Sequence, residues 1–483
     1  MKKTMLLITS ILLIVSSSYA SRNTIDNISY GVFGKVKVYH PSINPKAFVI
    51  FISGDGGWNL EVVHMANKLV EQGAIVVGVD IRHLLKVINK KNVKCYYPAS
   101  DFENLSLALQ KKYHGKQYFK PILVGLSSGA TLAYGLLAQA PANTFKGVIA
   151  LGFCPDLHIN KELCNGEGLI SRVLNKNKSF YLEPSKKLKA PFVILQGEND
   201  QVCSIIEIKK FVEGMPSTEL ISLSKLGHSF SVEKNWTSQF VFAFEKILKT
   251  PSFIEKVKEE QNQHKNSAAE NHFLNEDLPL AILPTKENNN LPLAFVISGD
   301  GGWTSFDETF AEKLSENGIP VIGLDAQQYF WDKKSPNETT TMVAKVVSYY
   351  MEKWNKSSFI LIGYSFGASI IPFVNNRLAN PLRENIKGVY CLSPEETADF
   401  EIHLSDMLSL GGKEEYNVLG ELEKTKNVKP VCFFGEEEEG INLAHYTANG
   451  AKVMRLPGGH HYEGSYPIIL KTILGTLKNN SYK

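Results

Sequence analysis

Ile122-Leu123-Val124-Gly125-Leu126-Ser127-Ser128-Gly129-Ala130 returns later in the chain as Ile360-Leu361-Ile362-Gly363-Tyr364-Ser365-Phe366-Gly367-Ala368. In each copy an apolar run that reads as a buried strand leads into Gly-x-Ser-x-Gly, and small residues in an apolar helical pattern follow. A strand turning this sharply into a helix needs flanking residues without bulk. The Ser hydroxyl is then lifted above the sheet edge beside the start of the helix, a nucleophile elbow. Gly and Ser are common in any turn, so the pentapeptide gains meaning only from this strand–turn–helix setting.

The repetition extends outward from the elbow. AFVIFISGDGGW at 47–58 is echoed by AFVISGDGGW at 294–303, VGVD at 77–80 by IGLD at 322–325, and KGV at 146–148 by KGV at 387–389. GEND at 197–200 then matches GEEE at 435–438, and GHSF at 227–230 matches GHHY at 459–462. The period is too long for a solenoid unit, so the 483 residues hold a duplicated domain. Residues 21–250 are expected to form the first copy and 272–483 the second. The stretch 251–271 between them, charged and rich in Gln and Asn, reads as a linker.

Short continuous apolar runs at 48–52, 75–79, 122–124, 148–151 and 192–195 alternate with helical patterns in the first copy. Runs at 295–297, 321–324, 359–362, 389–392 and 431–434 do so in the second. Strands apolar on both faces and separated by helices indicate a mainly parallel sheet with helices on both sides. The fold class is therefore α/β: two tandem small α/β domains, neither with a long inserted lid.

A serine hydroxyl needs an adjacent base, itself oriented by a carboxylate, and in α/β-hydrolases these follow in the order Ser, acid, His. Ser127, Asp200 and His228 follow that order, and so do Ser365, Glu438 and His460, with the same Ser-to-acid interval in both copies. Each acid follows an apolar strand and a Gly; each His follows a Gly in a later loop. In the second copy the acid lies among four consecutive glutamates, Glu436 to Glu439, and only alignment with Asp200 selects Glu438. His461 is a rival to His460, which the Gly-His-x-aromatic match to His228 favours. The Ser-Gly-Asp-Gly-Gly-Trp segments can bring backbone N–H groups to a developing oxyanion, at roughly 3 kcal/mol per donor. Donors are expected near Asp55–Gly56 and Asp300–Gly301, together with the N–H groups of Ser128 and Phe366. The alternative is a tight turn with Trp58 and Trp303 as packing. A phosphate loop has less support, since no Gly-Lys-Ser/Thr follows.

Lys+Arg 52 against Asp+Glu 49 leaves a net charge of +3, no footprint for nucleic acid. Lys2, Lys3, the apolar run 5–15 and the small residues Ser18 and Ala20 read as a cleaved signal peptide at 1–20. An exported protein permits disulfides among its six cysteines. Cys154 and Cys164, close in sequence, could bridge, with Cys95 and Cys203 as the other candidates. Cys391 and Cys432 lie in apolar runs and read as buried free thiols. No CxxC or CxxH spacing suggests a metal site, and no cofactor is called for.

The second copy resembles the bacterial VirJ virulence family, and the two-copy chain resembles its longer AcvB type. The resemblance is carried by SGDGGW at 298–303, Tyr329-Phe330-Trp331 with Lys333, Lys334 and Pro336, GYSFGA at 363–368 with Pro372-Phe373, and LPGGHHY at 456–462. It implies two tandem α/β-hydrolase-like domains in the periplasm, with Ser365 as nucleophile and His460 as base. It also implies hydrolysis of aminoacylated phosphatidylglycerol, notably the lysyl form, at the membrane surface, and an association with type IV secretion proteins. The glutamate acid departs from the commoner Asp. Glu436–Glu439, or Asp399 and Glu401, are candidates to attract a lysyl ammonium, and Tyr329-Phe330-Trp331 to touch lipid or fill the core. The rival reading is a catalytically idle hydrolase fold that docks secretion-system proteins.

Overall fold

The structure, a computed structural model, describes residues 24–251, 278–402 and 416–480 except positions 114, 116, 288, 439, 461, 463 and 464. The leader expected at 1–20, nearly all of the linker at 251–271, Glu439 and His461 lie outside the described residues.

The first sheet holds eight strands: β1 (Thr24–Tyr30), β2 (Gly34–His40), β3 (Ala47–Ile52), β4 (Ala74–Val79), β5 (Ile122–Leu126), β6 (Gly147–Leu151), β7 (Phe192–Gly197) and β8 (Thr218–Leu223). Their spatial order is β1-β2-β4-β3-β5-β6-β7-β8. β2 is antiparallel to β1 and β4, and the remaining pairings are parallel. The second sheet holds β9 (Leu280–Leu283), β10 (Leu293–Ile297), β11 (Val321–Leu324), β12 (Phe359–Tyr364), β13 (Ile386–Leu392), β14 (Val431–Gly435) and β15 (Lys452–Leu456). Its order, β9-β11-β10-β12-β13-β14-β15 with β9 antiparallel, repeats the first sheet from β2 onward. Both are α/β-hydrolase sheets.

The central strands form because neither face meets water. In β3, Phe48, Ile50 and Ile52 join one apolar core and Val49 and Phe51 the other. In β10, Phe295 and Ile297 are divided in the same way from Ala294 and Val296. Each large apolar side chain buried this way stabilises the fold by about 1.5–3 kcal/mol. Among the described residues no helix is long and apolar enough to cross a membrane.

Two expectations are corrected. The first copy does carry an insert: residues 152–191 leave the sheet after β6 and build a three-stranded antiparallel sheet of Asp156–Leu157, Ser171–Asn175 and Ser179–Leu182. Its strands are too short and too polar to stand out from a loop in the sequence. The disulfides are Cys95–Cys164 and Cys154–Cys203, not Cys154–Cys164. The chain carries Cys164 away to a short parallel pairing of Glu162–Leu163 with Cys95–Tyr96, while Cys154 stays at the end of the sheet beside the loop after β7. Cys391 and Cys432 are buried free thiols, opposite one another on β13 and β14.

Candidate active site

Both serines sit at the tight junction between a strand and a helix. β5 ends at Leu126 and α1 (Ser128–Gln139) begins two residues later; β12 ends at Tyr364 and α2 (Phe366–Arg377) begins likewise. Ser127 has φ +53° and Ser365 φ +51°, left-handed values that cost a non-glycine residue on the order of 1–3 kcal/mol. The surroundings enforce them: the Ser127 N–H donates to the Leu151 carbonyl at 2.8 Å and the Ser365 N–H to Leu392 at 2.7 Å. The flanking glycines are required by close approach of main chain. A Cβ on Gly125 would lie 2.2 Å from the Gly129 carbonyl oxygen, and one on Gly129 2.3 Å from that of Ile52. Gly363 and Gly367 meet the same obstacles, at 2.3 Å from Gly367 O and 2.2 Å from Ile297 O.

In the first copy Ser127 Oγ lies 3.0 Å from His228 Nε2, and His228 Nδ1 lies 2.9 Å from Asp200 Oδ2. The Asp200 side chain is fully enclosed. Its Oδ1 accepts the Val202 and Cys203 N–H groups, each at 2.8 Å, and its Oδ2 accepts Gln196 Nε2 at 2.8 Å. Gln196, on buried β7, also donates to the Cys203 carbonyl and accepts the Phe153 N–H. The Cys154–Cys203 disulfide ties the same loop to the end of β6.

In the second copy His460 Nε2 lies 3.0 Å from Ser365 Oγ and its Nδ1 3.0 Å from Glu438 Oε2. The longer glutamate reaches back over its own strand, so Oε1 accepts the Gly435 N–H at 2.5 Å and the Ser393 hydroxyl at 2.7 Å. Tyr462 OH stands 2.6 Å from Ser393 Oγ and 2.9 Å from the Phe433 carbonyl. Gln196, Ser393 and Tyr462 were not singled out as site residues from sequence. Their one signal is that an Asp and a Glu in equivalent places need differently placed donors.

Burial pulls the Glu438 carboxyl upward, but hydrogen bonds from His460, Gly435 and Ser393 outweigh it and hold the group below its ordinary value. A depressed carboxylate contributes stability that is present above its unfolded pKa and lost as pH falls through the folded one. Glu438→Gln is thus expected to lower Tm at about pH 7, with the deficit shrinking towards about pH 3. A deficit that stays constant in thermal melts across that range would contradict this role.

The Gly-rich loops face the serines. A Cβ on Gly54 would lie 3.3 Å from Ser127 Cβ, and one on Gly299 3.5 Å from Ser365 Cβ. Ser128 and Phe366 open their helices, where N–H groups have no intrahelical acceptor. Gly301 N–H donates to Asp300 Oδ1 at 3.0 Å and Gly302 N–H to the Gly299 carbonyl. In the first copy Asp55 Oδ1 accepts the Ser128 hydroxyl at 2.9 Å, and Gly57 N–H, next to Gly56, closes the turn onto Gly54. Trp58 and Trp303 are packing as well, filling the space above Gly78 and Gly323.

Other candidates lie elsewhere. Phe330 is in the core, and Trp331 is buried between the two copies, its indole N–H donating to the Gly115 carbonyl at 2.8 Å and its ring beneath Lys111. Glu401 is paired with Lys111 at 3.1 Å. Glu436 and Glu437 are exposed beside the second site. Asp200, Cys203 and His228 offer atoms within 4.8 Å of one another, but Cys203 is in a disulfide and cannot act as a thiolate ligand.

A family model described as bacterial virulence protein (VirJ) matches residues 46–156 and 292–481. Among solved structures the chain is similar to TT1662 from Thermus thermophilus, at 15% identity over 48% of this chain and 100% of that one, with TM-score 0.33. It is similar to the esterase domain of a Rhodothermus marinus protein at 15% identity, over 47% and 98%, with TM-score 0.33. An alpha-beta serine hydrolase homologue from Coxiella burnetii is similar at 19% identity, over 48% and 99%, with TM-score 0.30. No curated protein matches the chain.

Proposed function

Since the chain belongs to the VirJ family of bacterial virulence proteins, we propose that it is an exported serine esterase that cleaves the aminoacyl ester of aminoacylated phosphatidylglycerol, such as the lysyl form, in the periplasm. The observation that carries this reading is the unbroken chain of contacts from Ser365 Oγ through His460 to Glu438, repeated from Ser127 through His228 to Asp200. Two disulfides fit an oxidising compartment. An idle docking fold has no need of two complete Ser–His–acid sets.

Ser365 Oγ attacks the ester carbonyl while His460 Nε2 takes its proton, and Glu438 steadies the imidazolium. The N–H groups of Phe366 and Asp300 receive the oxyanion. The headgroup oxygen leaves with the proton from His460; water, activated by the same His, then releases the amino acid. Glu436 and Glu437 attract the cationic aminoacyl group.

Purified protein is expected to release lysine from lysyl-phosphatidylglycerol in mixed micelles, and Ser365→Ala to abolish that release. Release unchanged with both serines replaced would rule out a serine mechanism. Hydrolysis of simple esters without any lysine release would confine the error to the substrate.

A further inference from the structure

The rim of the first site exposes apolar side chains that a soluble surface normally hides. Ile170 is 61% exposed, Val173 58%, Leu174 42%, Val202 69% and Ile206 63%. Single exposed apolar residues need no explanation, but a group with a polar border marks an interaction surface. Val173 and Leu174 lie on Ser171–Asn175, the outer strand of the inserted sheet, and Ile170 directly precedes it. Val202 is two residues from Asp200, and Ile206 lies in the first turn of the helix behind that loop, Ile205–Phe211.

The hairpin is tied to the helix behind the acid loop. Tyr181 of the hairpin packs on Phe211, with ring centroids 6.3 Å apart, and the Arg172 guanidinium covers Tyr181 at 4.2 Å. The root of the insert is bolted to the acid loop by Cys154–Cys203, and to the elbow helix by the Tyr134 hydroxyl on the Glu183 carbonyl at 2.6 Å. The charge on the hairpin has one sign. From Gly168 to Leu182 the sequence holds Arg172, Lys176 and Lys178 and no acidic residue. Arg172 is paired with Glu183, whereas both lysines are exposed at the turn.

We propose that this rim is where the protein rests on an anionic phospholipid bilayer. Ile170, Val173 and Leu174 enter the boundary between headgroups and acyl chains, and Lys176 and Lys178 meet lipid phosphates. Positive charge concentrated at an apolar protruding tip complements a surface of uniform negative charge. The inference goes beyond the esterase reading and does not depend on it: lipid would be bound whether or not Ser127 turns over.

The test uses the whole chain with vesicles of phosphatidylglycerol and phosphatidylcholine, against phosphatidylcholine alone. A Leu174→Trp variant should show an added blue-shifted emission, quenched by brominated acyl chains, with the anionic vesicles only. Val173→Asp with Leu174→Asp should reduce the vesicle-bound fraction about tenfold, and Lys176→Glu with Lys178→Glu should weaken binding and its salt dependence. Hydrolysis of a soluble short-chain ester should be unchanged in both, which shows that fold and site survive. Emission from residue 174 that stays water-like with anionic vesicles would overturn the proposal. So would aspartate variants that bind like the parent, or a dimer in solution that these variants convert to monomer, which would assign the rim to a second copy of the chain.

Discussion

Replacing both Ser127 and Ser365 with alanine should lower turnover of a soluble ester by about four to six orders of magnitude without unfolding the protein. The size of the effect follows from how each set works as a unit. Each imidazole is aimed at its own serine, with Nε2 3.0 Å from Oγ in both copies. What remains is water held near the oxyanion donors, a residual catalysis of about 10³–10⁴-fold over the uncatalysed reaction. The backbone penalty at both positions is already borne by Ser, an L-residue at positive φ, so Ala adds none. The single variants apportion the work: each should keep the turnover of the other copy. Steady-state kinetics on the three variants reads this directly. A double variant with more than about a tenth of parental turnover would mean that the chemistry lies elsewhere.

Gly367→Val should destabilise the second copy by more than about 4 kcal/mol. The added Cβ would stand 2.2 Å from the Ile297 carbonyl oxygen and 2.6 Å from that of Ser298. Both are main-chain atoms of the strand end that carries the Gly-rich loop, so no side chain can swing aside. Separating α2 from β10 would also pull Ser365 away from Gly299. Denaturant unfolding should show a transition at much lower urea for this variant. A midpoint within experimental error of the parent would mean that the elbow does not hold helix and strand this closely.

The sheet was legible because a strand buried on both faces must be apolar throughout, and β3, β5, β10 and β12 are. The elbows were legible because only glycine satisfies the approach at Gly125, Gly129, Gly363 and Gly367. The order of Ser, acid and His was readable because each follows a strand end. What escaped reading depends on the path of the chain in space. The pairing of Cys154 with Cys203 joins the ends of two neighbouring strands, which sequence proximity to Cys164 concealed. Gln196 touches its acid from within a strand whose other residues look like core, and Ser393 from the position directly after one; a polar residue at the edge of an apolar run carries no direction. Trp331, which the sequence offers equally to lipid or to the core, is buried against the other copy, and nothing local reveals that neighbour.

The two acids illustrate how one geometry is reached by different means. Asp200 is held by two loop N–H groups and a buried amide; Glu438, one methylene longer, is held by a strand N–H and a serine hydroxyl. Asp200 meets its imidazole with the oxygen that also accepts the amide and Glu438 with Oε2, and each imidazole reaches its serine at the same 3.0 Å.

The most direct measurement is reaction of the native protein with a fluorophosphonate, followed by peptide mapping. Phosphonylation requires a serine hydroxyl whose proton is drawn off by a neighbouring base and whose adduct is held by oxyanion donors. Label on Ser127 and Ser365, lost at Ser127 in His228→Ala and at Ser365 in His460→Ala, is the predicted result. A native protein that takes up no label, or takes it up at some other residue, would contradict the account.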